Sequence, residues 1–507
     1  LMCGIMAYRG PQDGYMVVIE GLKRLEYRGY DSWGVAVLNN KSSSSGSSRY
    51  FSVTKKVGKI GEENNCAAAD AGIKNQSTSQ PINLAIGHTR WSTHGGVTEL
   101  NAHPHFDCGK RIAVVHNGII ENYQQLKQQL DGHDYLSQTD TETIPHLIED
   151  FMEKEHLSFL TAAAKTINSV TGRSAFVALN SGTNELIAAR KGTPIIIGLG
   201  RNEIFVASDV TAFLDHTNKV MYLDDGELCL ISSGAVPRFF NAETGKEVNK
   251  RIIEVDWQPG SADKAGYDHF LIKEIMEQKQ TLQKAINQDD DKLAAIAEEI
   301  KGAFGTFLVG CGTAGKVCMA GEYLFSKIAS KHINSVVASE FAYYKHYLTP
   351  QTLMIAVSQS GETADVLEAI EVAKSAKAKV ISVLNVFGST MMRISDDHVM
   401  VNAGAERAVV STKATTAQLA VLTLLAYAVA GKLQEGKLLL MNAASAVNDM
   451  LNPRYEQHIA KLAEKLKDKK DALIIGRGLN YPIALEAAIK LQETAYVYAQ
   501  GFAGGEL

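Results

Sequence analysis

The sequence predicts two unlike halves: an α+β half rich in strands up to residue 244, and beyond it α/β units in which helices flank a parallel sheet. Three observations carry that reading. In the first half, short apolar runs such as 82–86, 112–115 and 175–179 recur between turn residues, as strands do. In the second half, the apolar run 352–357 ends in Ser358-Gln359-Ser360-Gly361-Glu362-Thr363, and Val366, Leu367, Ile370 and Ala373 then mark one helical face. A like run, 472–475, ends in Gly476-Arg477-Gly478 and also leads toward a helix, so the unit is expected to recur.

A chain of 507 residues is too long for one core and predicts about three domains. With 45% hydrophobic residues, 21% charged and a net charge of −5, it carries neither a basic surface for nucleic acid nor a membrane-binding composition. The longest apolar run, 419–430, has the length of a buried helix and falls short of the ~18 residues of a membrane span. The N-terminus shows no charged-then-apolar leader. Six scattered cysteines without paired CxxC motifs fit a reducing cytoplasm, and no disulfide is expected.

Taken in order, the chain begins Leu1-Met2-Cys3-Gly4-Ile5 and continues through an amphipathic helical stretch, 17–25, to Tyr27-Arg28-Gly29-Tyr30-Asp31-Ser32. A cysteine that became N-terminal could use its own α-amine, of pKa about 7.7–8.0, as general base for its thiol. By position alone Cys3 reads equally as a small buried hydrophobe. Two later stretches, His88-Thr89-Arg90-Trp91-Ser92-Thr93-His94-Gly95 and His116-Asn117-Gly118-Ile119-Ile120, each follow a β-run. Acyl transfer through a thioester needs an oxyanion hole, which the Asn117 amide and the Gly118 N–H can form. Arg90 can grip a carboxylate and Asp140 an ammonium, the two ends of a free amino acid. Asn117-Gly118 also reads as a hairpin turn, and Thr139-Asp140-Thr141-Glu142 as a helix capping box.

Together, Met2-Cys3-Gly4-Ile5, Tyr27 to Ser32, Thr89 to Gly95, His116 to Ile120 and Thr139 to Glu142 resemble the glutaminase domain of class II amidotransferases with an N-terminal nucleophile. The resemblance implies a four-layer αββα sandwich. It also implies Cys3 as nucleophile, Asn117 and Gly118 as oxyanion hole, and Arg28, Arg90, Trp91, Thr93, His94 and Asp140 around glutamine, with Trp91 gating an ammonia passage. Trp33 stands where that family has a small residue. Residues preceding Cys3 would acylate its base, so where Leu1 persists glutamine use is expected to be lost.

Lys41–Ser48, serine-rich, reads as a flexible surface loop, and 62–80 as loop-like or partly helical. His103, His105 and Cys108 lack a fourth ligand and zinc-like spacing, so no metal is expected. Asp256 to Asp263 reads as a linker, followed by a helix from Tyr267. Next comes Gly310-Cys311-Gly312-Thr313-Ala314-Gly315-Lys316-Val317, which combines a dinucleotide fingerprint with most of a phosphate loop. Val317 replaces the Ser/Thr that would hold Mg²⁺, which excludes the second; the first keeps Glu340 as a ribose acid. The alternatives at Ser358–Thr363 are a phosphate site and an ordinary N-cap.

Cys311-Gly312-Thr313, Ser358 to Asp365 and Ser411-Thr412-Lys413 resemble a sugar isomerase domain. With the glutaminase ahead of it and a second copy behind, the order of motifs resembles the glutamine:fructose-6-phosphate aminotransferases (isomerising), the glucosamine-6-phosphate synthase family. The resemblance implies transfer of the glutamine amide nitrogen to fructose 6-phosphate and isomerisation to glucosamine 6-phosphate, the first step of the hexosamine pathway. It further implies no cofactor, and Thr313, Ser358, Gln359, Ser360, Thr363 and Ser411 around the sugar phosphate. Ala314 removes one hydroxyl donor that the family often has. Lys490 would form a Schiff base with the opened ketose and Glu493 would move the proton between C1 and C2; their i, i+3 spacing puts both on one helical face, as it would a solvated ion pair.

The expected domains are 3–244 (glutaminase), 245–290 (linker and interdomain helix), 291–432 (first sugar isomerase domain) and 455–507 (start of the second). A full second copy predicts a native polypeptide about a hundred residues longer. A homodimer or larger homo-oligomer is expected from the family. The alternative reading is a glutaminase whose second half only senses sugar phosphate.

Overall fold

The computed structural model describes residues 3–26, 29–43, 46–61, 83–233, 236–255 and 264–507. Leu1, Met2 and Arg28, the stretch 62–80 and the expected linker 256–263 lie outside them. The chain forms two compact units, 1–260 and 261–507.

The first unit runs β1 (Gly4–Arg9), α1 (Gly14–Leu25), β2 (Ser32–Ser43), β3 (Gly46–Val57), β4 (Leu84–Arg90), β5 (His105–Phe106), β6 (Ile112–Gly118), α2 (Tyr123–Gln129), α3 (Thr143–Lys154) and α4 (Phe159–Ser169). It continues through β7 (Ser174–Asn180), β8 (Glu185–Lys191), β9 (Ile196–Leu199), β10 (Ile204–Ala207), β11 (Lys219–Tyr222), β12 (Glu227–Ile231), β13 (Arg238–Asn241), β14 (Glu247–Val248) and β15 (Ile253–Glu254). These strands make two antiparallel sheets, ordered β15-β11-β9-β10-β1-β4-β2-β3 and β14-β13-β12-β8-β7-β6-β5.

Period-two alternation explains how the sheets stack. In β1, Ile5 and Ala7 enter the core between the sheets, while Met6 and Tyr8 face α1. In β7, Ala175, Val177 and Leu179 enter that same core from the other side, and Phe176 and Ala178 pack under α3 and α4. Each sheet therefore buries both faces, and the result is the expected αββα sandwich. Trp33 is accommodated at the edge of the core shared with α1.

Three local expectations change. Lys41–Ser43 and Gly46–Ser48 are not loop but the paired ends of the β2–β3 hairpin, because ladder hydrogen bonds outweigh serine's preference for turns. Asn117-Gly118 is no turn: it closes β6, pairing with Ala175 and Ser174 of β7. Thr139–Glu142 is no capping box, since Glu142 turns back to accept from the N–H groups of Leu136 (2.8 Å) and Ser137 (2.6 Å).

The second unit comprises α5 (Phe270–Ile286), α6 (Asp290–Gly302), β16 (Thr306–Gly310), α7 (Gly312–Ala329), β17 (Asn334–Val337), β18 (Leu353–Ser358), α8 (Ala364–Ser375), β19 (Lys379–Leu384), α9 (Thr390–Ile394) and β20 (Asp397–Met400). After these come α10 (Lys413–Val429), α11 (Leu433–Met450), α12 (Pro453–Leu466), β21 (Asp471–Gly476), α13 (Asn480–Ala495) and β22 (Tyr498–Ala503). The main sheet is parallel, ordered β17-β16-β18-β19-β20. Helices cover both faces, with α5, α6, α7 and α10 on one and α8 and α9 on the other. The expected interdomain helix is α5, and it packs against α10 within this unit. The apolar run 419–430 lies in α10, buried nearly all round. Among the described residues no helix is long and apolar enough to cross a membrane.

From β16 the chain steps to β17 on one side and returns to β18 on the other. The direction of winding thus reverses between β16 and β18, the place where open parallel sheets form a ligand crevice at their carboxyl ends. Finally, β21 and β22 pair in parallel around α13 and leave Leu473 and Ile475 exposed.

Candidate active sites

The first constellation sits where β1 begins and β4 and β6 end. Cys3 is half-buried, and its Sγ lies 3.2 Å from the Trp91 N–H. The Asn117 amide donates to the Cys3 carbonyl at 2.9 Å, while its Oδ1 meets His88 Nε2 at 3.0 Å. That pairing fixes the amide with its NH₂ group toward Cys3. Gly118 follows at φ +125°, where an added Cβ would stand 2.0 Å from the Arg173 carbonyl, so only glycine leaves this N–H in place.

Behind Asn117 lies a buried layer of imidazoles. His88 stacks on His103 at 4.0 Å, His105 meets Thr139 Oγ1 at 3.1 Å, and His116 bridges Thr141 (2.9 Å) and Ser174 (3.0 Å). Burial holds all four below the ordinary histidine pKa, His88 down to about 3. The folded state thus binds fewer protons than the unfolded chain below pH 6.5, and stability is full above that value and lost as pH falls toward 3. We expect the stability of this unit to fall from about pH 7 to pH 5, by up to ~1.4 kcal/mol per pH unit for each imidazole, and its unfolding temperature to fall with it. A thermal melt that stays flat over that range contradicts the expectation.

The other residues expected around glutamine are placed unevenly. Buried Arg90 donates to the carbonyls of His94, Gly95 (3.4 Å) and Gly96 (3.1 Å), so it shapes the turn after β4. Asp140 is buried and accepts from the Ile120 N–H at 2.7 Å. Trp91 meets Tyr30 edge-on at 5.4 Å, and His94 lies against Tyr123 with a buried Nδ1 that has no hydrogen-bond partner among the described residues. Thr93 is exposed and Arg28 is outside the described residues. Sequence reasoning missed the part of Asp31, whose carboxylate holds the Ser92 N–H at 2.8 Å.

In the second unit, the crevice between β16 and β18 is a pocket of about 140 Å³. It is lined by Thr313, Ala314, Ser358, Gln359, Ser360, Thr363 and Ser411, with Cys311, Val357 and Gln418. Ser358 Oγ accepts from the Gly361 N–H (3.1 Å) and meets Thr363 Oγ1 (3.0 Å), which shapes the turn. Thr363 stands at the N-cap of α8 without capping it through its side chain, and Cys311 does the same at α7. Two helix N-termini thus face the pocket with their dipoles positive toward it, the arrangement that receives an anion. Drug-sized ligands fill roughly 300–1,000 Å³, so this volume suits a phosphate group better than a dinucleotide. Glu340 is exposed and bonded to Ser339, and Val317 is buried in the core.

On α13, Lys490 Nζ donates to Thr313 Oγ1 (2.9 Å) and lies 3.1 Å from Glu486 and 3.2 Å from Glu493. Thr313 in turn donates to Glu486 at 2.9 Å. One threonine therefore joins the pocket lining to the Lys490 cluster. Glu486 was not singled out from sequence, although its i, i+4 spacing to Lys490 was the available signal. Ser411 lines the pocket while donating to Glu406 at 2.8 Å.

Comparison with known proteins agrees with this division. The family model for a glutamine amidotransferase domain matches residues 88–215, and that for a SIS domain matches residues 303–428. The chain is 40% identical over an alignment of 522 residues to a protein of Thermococcus kodakarensis and 40% identical over 525 to one of Pyrococcus horikoshii. It is 37% identical over 527 to one of Clostridium acetobutylicum. All three are named glutamine–fructose-6-phosphate aminotransferase (isomerizing), and each alignment takes in 100% of this chain and 83% of the relative. Among solved structures, the C-terminal domain of glucosamine-fructose-6-phosphate aminotransferase from Francisella tularensis aligns at 31% identity and a TM-score of 0.43, over 48% of this chain and 72% of that one.

Proposed function

The chain belongs to the glutamine–fructose-6-phosphate aminotransferase (isomerizing) family, and from that premise we propose how its residues divide the work. It is an enzyme that transfers the amide nitrogen of glutamine to fructose 6-phosphate and isomerises the product to glucosamine 6-phosphate, leaving glutamate. The observation that carries our assignment is the convergence of Cys3, Asn117 and Gly118 in one unit and of the hydroxyl-lined pocket with Lys490 in the other.

In the first unit, Cys3 Sγ attacks the side-chain amide carbon of glutamine as its thiol proton passes to its own α-amine, which requires Cys3 to be N-terminal. Asn117 and the Gly118 N–H receive the oxyanion. Arg90 and Asp140 hold the carboxylate and ammonium of the substrate, with Arg28, Trp91, Thr93 and His94 completing the surround. The C–N bond breaks as ammonia takes up the proton, and water then cleaves the thioester to glutamate.

In the second unit, Thr313, Ser358, Gln359, Ser360, Thr363 and Ser411 hold the phosphate end of the sugar. Lys490 condenses with C2 of the open ketose, losing water, and ammonia displaces it to leave an imine at C2. Glu493 removes a proton from C1 and returns one to C2 while the C1 hydroxyl proton passes to the imine nitrogen, which yields the aldehyde at C1 and the amine at C2. Before attack Lys490 must shed a proton, and Glu486 and Glu493 are within reach to accept it.

Our reading further places the domains at 3–244, 291–432 and 455–507 and the protein in the cytoplasm as a homodimer or larger. Light scattering of the purified protein tests the oligomer. The reading as a whole is tested by incubating the protein with glutamine and fructose 6-phosphate: glucosamine 6-phosphate should form, and glutamate without aminosugar would favour a sensing role for the second unit. Ser358→Ala removes a donor to a charged group worth about 1.5–3 kcal/mol and should raise the KM for fructose 6-phosphate roughly 10- to 150-fold. Glutamine hydrolysis by that variant should stay at the wild-type rate.

A further inference from the structure

Away from Cys3, the β5–β6 turn, the loop before Asp140 and helix α3 bring together Cys108, His133, His146 and Glu149. Their ligand atoms all lie within 4.8 Å of one another. Cys108 Sγ is 3.5 Å from Nδ1 of His133 and 3.5 Å from Nδ1 of His146, and the two Nδ1 atoms are 3.1 Å apart. Glu149 Oε2 is 3.2 Å from His133 Nδ1 and 3.5 Å from His146 Nδ1. Four ligands placed tetrahedrally at zinc's bond lengths, about 2.0–2.3 Å, stand about 3.3–3.6 Å from each other, which these separations nearly match.

Carboxylates stand on the far side of both imidazoles. His133 Nε2 faces Asp150 Oδ1 at 3.3 Å and His146 Nε2 faces Glu142 Oε1 at 4.0 Å. The His133 contact turns its Nε2–H toward Asp150, whereas 4.0 Å is too long for a hydrogen bond from His146 Nε2; two Nδ1 atoms and a carboxylate oxygen face inward, and the single Cys108 S–H cannot satisfy them all. Carboxylates behind the far nitrogen of ligating histidines are the usual outer shell of a metal site. Glu149 is itself braced by the Cys108 (3.1 Å) and Gly109 (3.3 Å) N–H groups. His133, His146 and Glu149 are 9%, 1% and 5% exposed at the side chain, so three of the four groups are built into the fold, while Cys108 closes the cluster from the exposed side.

We propose that these four residues bind one divalent cation of the zinc type. Four protein ligands close the coordination shell, so the ion is structural. It fastens the β5–β6 turn and the loop through His133 to α3. That loop continues into Gln138, which bonds Asn101 (3.0 Å) and the Gly96 N–H (3.3 Å), and then to Asp140. The inference rests on this geometry alone and stands apart from the assignment of the reaction. The chain-order spacing, with 24 residues between Cys108 and His133, resembles no short metal motif, and the sequence set Cys108 beside only His103 and His105, a trio from which no metal was expected. Those two face the imidazole layer behind Asn117.

The test uses the full chain carrying Cys3→Ala, so that the nucleophile contributes no thiolate signal, stripped with chelator and titrated with Co²⁺. The expected result is a thiolate-to-cobalt charge-transfer band with intense tetrahedral visible bands, saturating near one equivalent. Adding Cys108→Ser should abolish the charge-transfer band, and adding His146→Gln should weaken binding by at least tenfold. Wild-type protein should melt several degrees lower after chelation and recover with Zn²⁺. Absence of the band, or its survival in the Cys108→Ser background, overturns the proposal.

Discussion

Cys3→Ala should reduce glutamine hydrolysis by about 10⁴- to 10⁶-fold, the scale on which loss of a covalent nucleophile is felt. The argument is that no other described thiol can substitute: Cys229 and Cys318 are buried, Cys108 is engaged with two imidazoles, and Cys311 is in the other unit. The side chain is half-buried and small, so the fold should survive with little change in melting temperature. Binding of fructose 6-phosphate, measured by calorimetry, should also be unchanged because the hydroxyl pocket lies in the second unit. Ammonia release above a few per cent of wild type in the purified variant would remove Cys3 from the mechanism. A form retaining Leu1 and Met2 should be as inactive as the alanine variant, because its α-nitrogen is acylated.

The second large effect is expected from Glu493→Gln. The substitution keeps shape and hydrogen-bonding reach but removes the base, so formation of glucosamine 6-phosphate should fall about 10²- to 10⁴-fold. Glutamine hydrolysis should continue at the wild-type rate, which separates this variant from Cys3→Ala. Stability gives no competing explanation. The Lys490 and Glu493 side chains are 25% and 41% exposed, and exposed pairs contribute about 0–1 kcal/mol. If aminosugar formation persists within a few-fold of wild type, proton transfer belongs to another group, and Glu486, 3.1 Å from Lys490, is the next to substitute.

Legibility from sequence followed the range of the interaction. The hydroxyl turn 358–363 was readable because a strand, its turn and the following helix are continuous in the chain. Cys3, Asn117 and Gly118 were readable as chemistry, yet sequence left Asn117-Gly118 open to being a hairpin turn; the ladder to β7 decided it. The serine run 41–48 misled because composition reports only local preference, while the β2–β3 pairing supplied partners for the backbone of 41–43 and 46–48. Glu486 escaped notice because it acts on Lys490 and Thr313, whose roles were assigned first, and Asp31 because its partner, the Ser92 N–H, lies 61 positions away.

The sequence by itself determined the order of the two halves, the alternation that makes strands two-faced, and the residue types able to form an acyl intermediate or receive a phosphate. Tertiary structure alone decided which of them meet. Cys3 and Asn117 are 114 positions apart and Lys490 and Thr313 are 177 apart, and nothing periodic in the chain encodes either contact. The same holds for Cys108, His133, His146 and Glu149. Periodicity is set by each residue's own backbone geometry, whereas convergence depends on sheet register and on the packing of whole layers, which only the folded chain fixes.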